Sequence, residues 1–333
     1  MMWHFYCLFL FNTFVLKLTL AIHGASKYSG GEESMNTNLN IDDFGVLLAD
    51  GTKDTLGEDY SVEYKEVIKN NGVVYHAIVI KKNIENIAPT IYIDELFREY
   101  LKGRKIKALT DSVVQFYHRC GAGREVEVDF FKDFSKVCEN LSFKVINLEK
   151  NQKILSDVPY RQVVDLAMVP ICNVKNRAIG SGNIMIHKRH LEMWEISEEE
   201  LWENVFEYTH KASPVKAVKI CEFVSDRTGI PFEDYLDNVM VVTNKEMQHG
   251  ASAAFYPGVL REMAKDFESD LIMIPSSVHE TIVMPSYMAG TGEFTIAQMI
   301  REVNDKVVSD EEILSDNAYF YNRAEEVLSI FSE

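Results

Sequence analysis

The sequence predicts an α+β protein: mixed, largely antiparallel sheets with packed helices, arranged in two lobes. Three observations carry this. Helix and strand signals mix without a regular βαβ rhythm. A tight Asn70-Asn71-Gly72 turn joins two strand-like runs. Several helices bring their own capping residues.

The elements follow in order. Ser61–Ile68 and Val73–Lys81 are rich in β-branched and aromatic residues, and the Asn and Gly between them tolerate the positive φ of hairpin turns. Pro89 precedes a short extended run, Thr90–Ile93. Asp94 is placed to cap a helix that Gly103 closes. Ile106, Leu109, Val113, Phe116, Tyr117 and Cys120 fall on one face of a helix near 105–120. Phe131, Phe134, Cys138, Leu141, Val145 and Leu148 repeat every three or four residues and predict a helix over 130–150.

Pro159 separates that stretch from Val163–Ile171, a nearly continuous apolar run suited to a strand covered on both faces. Asn183–His187 reads as another strand. Ser197 and Glu200 make a capping box, with Ile196 and Leu201 as its hydrophobic staple. A helix is expected near 215–227, then a buried strand at Val239–Thr243 and a helix at Pro257–Phe267. Leu271–Pro275 and Thr281–Met284 read as strands, and 286–294 as a Gly-containing linker. Thr295 with Gln298, and Ser309 with Glu312, give two further boxes. Ala318–Tyr321 is a short strand, and the chain is expected to end in a frayed helix. The mixed order of elements is read as an N-terminal lobe at 58–155 with its β-hairpin, a C-terminal lobe at 156–323 with the join near 150–160, and a tail at 324–333.

The first 34 residues stand apart. Residues 5–22 are almost wholly apolar, about the length of a membrane span, but Asn12, Thr13 and Lys17 interrupt them. A secretory signal lacks its basic start and its small-residue cleavage site. Gly30-Gly31-Glu32 matches the translation of a purine-rich ribosome-binding sequence just ahead of Met35. The expectation is that Met35 is the initiator and 1–34 an over-called leader; the alternative is a hydrophobic anchor at 5–22. Starting at Met35 leaves 299 residues and the charge unchanged at −17. That charge argues against a nucleic-acid or anionic-membrane partner, because both repel it. Cysteines are scattered, with no C-x-x-C pair, which suits reduced thiols in a cytoplasmic protein.

There is no P-loop, no G-x-G-x-x-G, no G-x-S-x-G and no H-E-x-x-H. Three local candidates remain. Ser276-Ser277-Val278-His279-Glu280, between two buried strands, holds a nucleophile, a base and an acid by type, with His279 as the acid/base. Its structural alternative is a capped turn, since Ser277 and Glu280 have capping-box spacing. Asp165, alone in an apolar run, is either functional at a cleft or a hydrogen-bonded structural acid. Asn244-Lys245 would line the same cleft, or form an ordinary turn. His187 and His190 are metal candidates by spacing, yet Lys188 and Arg189 between them repel a cation. No cofactor is predicted.

Several stretches carry a resemblance: Ala88-Pro89-Thr90-Ile91-Tyr92-Ile93, Asp157-Val158-Pro159, Ile184-Met185-Ile186-His187, His190-Leu191-Glu192-Met193-Trp194, Val242-Thr243-Asn244 and Pro275-Ser276-Ser277-Val278-His279-Glu280. In this order, across about 61–323, the chain resembles an uncharacterised domain-of-unknown-function family of anaerobic Gram-positive bacteria. It departs from that family in a short, Gly-interrupted segment at 41–57. The resemblance implies a bacterial cytosolic protein and supplies no catalytic residue. The expected function is a binding or regulatory protein without catalysis, whose partner is a protein or a small molecule. The alternative is a hydrolase or other small-molecule enzyme using Ser276, Ser277, His279, Glu280 and Asp165.

Overall fold

A computed structural model describes residues 39–83, 88–119, 129–176, 180–229, 238–289 and 295–332. Three antiparallel sheets and their helices make an α+β fold in two compact units. Residues 1–34, with the apolar stretch 5–22, lie outside the described residues. Among the described residues no helix is long and apolar enough to cross a membrane.

The N-terminal unit, described over 39–83 and 88–119, holds α1 (Ile41–Leu56), β1 (Tyr60–Ile68), β2 (Val74–Lys82), β3 (Thr90–Tyr92), α2 (Asp94–Leu101) and α3 (Ile106–Arg119). The strands pair in the order β1-β2-β3. The hairpin turn has Asn71 and Gly72 at positive φ, as its residue types require. Phe44 and Leu48 of α1, Ile78 and Ile80 of β2, and Leu109, Val113 and Tyr117 of α3 close the core. The Gly-interrupted segment is thus a regular helix, capped by Asn40, whose side chain accepts from the Asp43 N–H. Gly45 is there for space: a Cβ would lie 2.4 Å from the Tyr64 ring. Two expectations change. Asp94 opens α2 but does not cap it, and its carboxylate turns to His76. Phe116 is exposed rather than inward.

The second unit begins with α4 (Phe134–Val137), β4 (Leu141–Asn147), α5 (Gln152–Leu155), β5 (Arg161–Val163), β6 (Leu166–Asn176), β7 (Gly180–Met185), α6 (Lys188–Trp194) and α7 (Glu198–Ala212). It continues with β8 (Val215–Lys219), α8 (Ile220–Thr228), β9 (Met240–Asn244), α9 (Val259–Asp266), β10 (Leu271–Pro275), β11 (Thr281–Pro285), α10 (Ile296–Lys306), β12 (Tyr319–Asn322) and β13 (Val327–Ile330). One sheet runs β13-β12-β10-β11-β9-β8; the other runs β4-β6-β5, with β7 on β6.

The six-stranded sheet is covered on both faces. Leu271, Met273 and Val283 pack into one cluster with Phe143, Trp202 and Tyr256. Ile272, Ile274 and Ile282 pack into another with Val224 of α8 and Ile296, Ile300 and Val303 of α10. Alternate side chains of a strand point to opposite faces, so a strand buried twice reads as unbroken apolar sequence. Each fully buried aliphatic side chain contributes ~1.5–3 kcal/mol.

The structure corrects four sequence expectations. The helix expected over 130–150 ends early, and Leu141–Asn147 is β4, paired to β6 along seven positions. Leu141 and Val145 are four apart, a spacing that helix and strand share. Phe143 and Val145 face one cluster and Ile146 another, which only a strand allows. Because β4 and β6 pair across 150–160, no join falls there, and the second unit already begins at Asp129. Residues 215–219 form β8 rather than the start of a helix, with Val215 and Val218 in different clusters. The chain ends in edge strand β13, paired to β12, not in a helix.

Candidate functional site

The five residues 276–280 connect β10 to β11, whose last pair is Pro275 with Thr281. They form a hairpin turn. The Ser277 hydroxyl donates to Glu280 Oε1 at 3.0 Å and accepts from the His279 N–H at 3.0 Å. The Ser277 N–H donates to the Glu280 carbonyl at 3.3 Å. The turn is also held from outside. The Val278 N–H donates to the Glu312 carbonyl, the Ala251 N–H to the Val278 carbonyl, and the Thr243 hydroxyl to the His279 carbonyl. Gly250 stands at this junction because nothing larger fits: a Cβ would lie 2.1 Å from Thr243 Oγ1 and 2.7 Å from the His279 carbonyl.

The imidazole of His279 accepts from the His249 N–H at Nδ1, 3.2 Å away, and places Nε2 3.5 Å from Glu312 Oε1. Its ring stacks on His249 with centroids 5.7 Å apart. A donor aimed at Nδ1 puts the neutral ring's proton on Nε2, facing Glu312. That carboxylate raises the His279 pKa against the opposing effect of burial. Burial raises the Glu280 pKa, partly offset by Arg227, His279 and the Ser277 hydroxyl. Arg227 itself stacks on Phe223 at 4.0 Å.

The structure therefore brings Ser277, His279 and Glu280 into one network, but not in the order a nucleophile needs. Among the described residues no hydrogen bond joins either serine hydroxyl to the imidazole. Ser276 is buried at the end of β10. Asn244 shapes the neighbouring loop, with its side chain exchanging two hydrogen bonds with the Gln248 backbone.

Asp165 lies in the turn between β5 and β6, beside Val164 at positive φ, rather than inside a strand. Its carboxylate accepts from Ser315 Oγ at 2.7 Å, Asn317 Nδ2 at 2.9 Å and the Tyr319 hydroxyl. It pins 315–319 to the turn and is satisfied there. His187 occupies the N-cap position of α6, with its Nδ1 2.8 Å from Asp157 Oδ2. His190 Nδ1 accepts from the His187 N–H at 3.0 Å. Among the described residues the pair gathers no third ligand. The expected box at Ser309 and Glu312 is a backbone turn.

Sequence reasoning missed a cavity of about 450 Å³, lined by Val163, Met168, Phe206, Phe255, Leu260 and Leu328 with Arg261 and Glu326. Arg261 Nη1 and Glu326 Oε2 are 3.9 Å apart. Its walls are ordinary apolar residues spread over five segments, so no local pattern marks it.

Fold and site together define an α+β protein with a polar turn closing a doubly covered antiparallel sheet. The chain belongs to a Family of unknown function (DUF5688), whose model matches residues 41–323. The match starts at α1, ahead of the segments that carried the resemblance. No curated protein and no solved structure matches the chain.

Proposed function

We propose that this is a cytoplasmic bacterial binding protein without catalysis, which takes a small, largely apolar molecule in the cavity beside Leu328. The cavity is the observation that carries the reading: its size falls in the range of small-molecule sites, and its walls are mainly apolar with one charged pair. Arg261 and Glu326 offer a polar group of the ligand an exchange partner. The formal charge of −17 disfavours nucleic acid as the partner. The scattered cysteines fit a reducing compartment.

The test is a thermal-shift screen of a metabolite library on the full chain, beside Leu328→Trp. A ligand that binds only the folded state raises its Tm. Apolar compounds should raise the Tm of the parent and fail with Leu328→Trp. Equal shifts in both proteins, or none in either, refute the cavity as the site.

A hydrolase or other small-molecule enzyme using Ser276, Ser277, His279, Glu280 and Asp165 is the second reading. What favours it is His279 set against Glu312 and Glu280 in one polar cluster. Hydrolysis of p-nitrophenyl esters that His279→Ala abolishes would support it; rates equal to buffer oppose it.

A further inference from the structure

The N-terminal unit carries a second polar constellation, separate from the turn and the cavity. Glu66 of β1 and His76 of β2 are direct cross-strand partners. Tyr64, Glu66 and His76, Ile78 share one face of the hairpin, because residues two apart on a strand point the same way. Toward the middle that face is core, with Ile78 fully buried. At this end it turns polar, and Asp42 comes onto it from the first turn of α1.

Two contacts hold these groups in place. Gly45 lets the Tyr64 ring lie against α1, where its hydroxyl donates to Asp42 Oδ1 at 2.6 Å. The Tyr64 ring is also parallel to the His76 imidazole, at 6.3 Å. On the other side Asp94 grips His76 twice. Its Oδ2 accepts from the His76 backbone N–H at 3.1 Å, and its Oδ1 lies 2.9 Å from Nδ1. The Asp94 carboxylate accepts from Nδ1, so the neutral ring keeps its proton on Nδ1 and leaves the lone pair on Nε2.

We infer that Asp42, Glu66 and His76 form a binding site for one first-row divalent metal ion, zinc by its donor set, with Asp94 as the positioning residue behind His76. One ligand atom from each of the three lies within 4.8 Å of the other two. Two of the three residues are exposed carboxylates, so side-chain rotation suffices to close to the ~2.0–2.2 Å bonds of zinc to nitrogen and oxygen. One imidazole and two carboxylates is a mixed N/O set, which suits zinc above magnesium or calcium. The Asp94–His76 pair is the carboxylate–histidine arrangement that fixes a ligand's tautomer and ring orientation. Three protein ligands leave a coordination position open for water or a small anion.

The experiment is isothermal titration of ZnCl₂ into the untagged full chain, with Glu66→Gln, His76→Gln and Asp94→Asn in parallel and circular dichroism confirming each fold. One zinc per chain is expected, weakened at least tenfold by Glu66→Gln and by His76→Gln. Asp94→Asn should weaken it by about 10–100-fold, the usual effect of removing such a partner. MgCl₂ should give no saturable heat. Zinc binding that Glu66→Gln and His76→Gln leave unchanged overturns the site, as does the absence of a one-to-one event. Magnesium binding as tight as zinc also overturns it, since that marks a carboxylate cluster without the histidine.

Discussion

The Ser277 hydroxyl donates to Glu280 Oε1 at 3.0 Å while accepting the His279 backbone N–H. Both hydrogen-bonding directions of the hydroxyl are spent inside the turn. This makes Ser277 a lock on the β10–β11 hairpin. Removing it leaves a half-buried carboxylate without its hydroxyl donor. Ser277→Ala should therefore cost ~1–3 kcal/mol, the desolvation penalty of a stranded polar group, read as a lower urea midpoint with unchanged slope. Stability equal to the parent contradicts the lock.

Gly250 offers a harsher test of the same junction. A methyl group there meets Thr243 Oγ1, the Asn244 nitrogen and the His279 carbonyl at 2.1, 2.6 and 2.7 Å. Two of these are backbone atoms and cannot step aside cheaply. Gly250→Ala should lose about 3 kcal/mol, the upper end of overpacking costs, and should lower the Tm by several degrees.

The turn was half legible in sequence. Ser277 and Glu280 have the spacing of a capping box, and their side chains do meet. The element is a hairpin turn because β10 and β11 flank it directly, leaving no room for a helix. Likewise β4 hid inside a helical stripe, since Leu141 and Val145 satisfy both periods. The strongly capped helices α7 and α10, and the first hairpin, were plain because their signals are local. The partners of His279, namely His249 and Glu312, lie 30 or more residues away in sequence. Nothing local announces such pairings, and the same holds for the cavity walls and for Asp94 behind His76.

Asp165 serves stability by tying 315–319 to the β5–β6 turn. Asp165→Ala leaves the Ser315, Asn317 and Tyr319 donors without their acceptor. The expected loss is ~2–4 kcal/mol, given that hydrogen bonds to charged groups are the stronger kind and that this site is partly solvated. Chemical denaturation reads it directly. A loss of ligand-induced Tm shift with no change in stability would assign Asp165 to the ligand instead.

Proton linkage at the turn has a definite sign. The folded pKa of Glu280 is raised by burial, and that of His279 by Glu312. The folded state therefore holds these protons more tightly than the unfolded chain. The Glu280 contribution is complete below about pH 4.5 and fades as pH rises through its folded value. The His279 contribution is complete below about pH 6.5 and fades above it. Urea unfolding of the parent, Glu280→Gln and His279→Gln across pH 4–9 should show each variant gaining relative to the parent as pH rises. The gain should begin at about pH 4.5 for Glu280→Gln and at about pH 6.5 for His279→Gln. Constant differences across that range contradict the linkage.

The central claim is binding without chemistry in the cavity beside Leu328. It is tested most directly by equilibrium dialysis of a metabolite mixture against the parent and Leu328→Trp, read by mass spectrometry. The account expects a compound retained by the parent, released by Leu328→Trp and recovered with its mass unchanged. A compound consumed by the parent and spared by His279→Ala, or retention indifferent to Leu328→Trp, contradicts it.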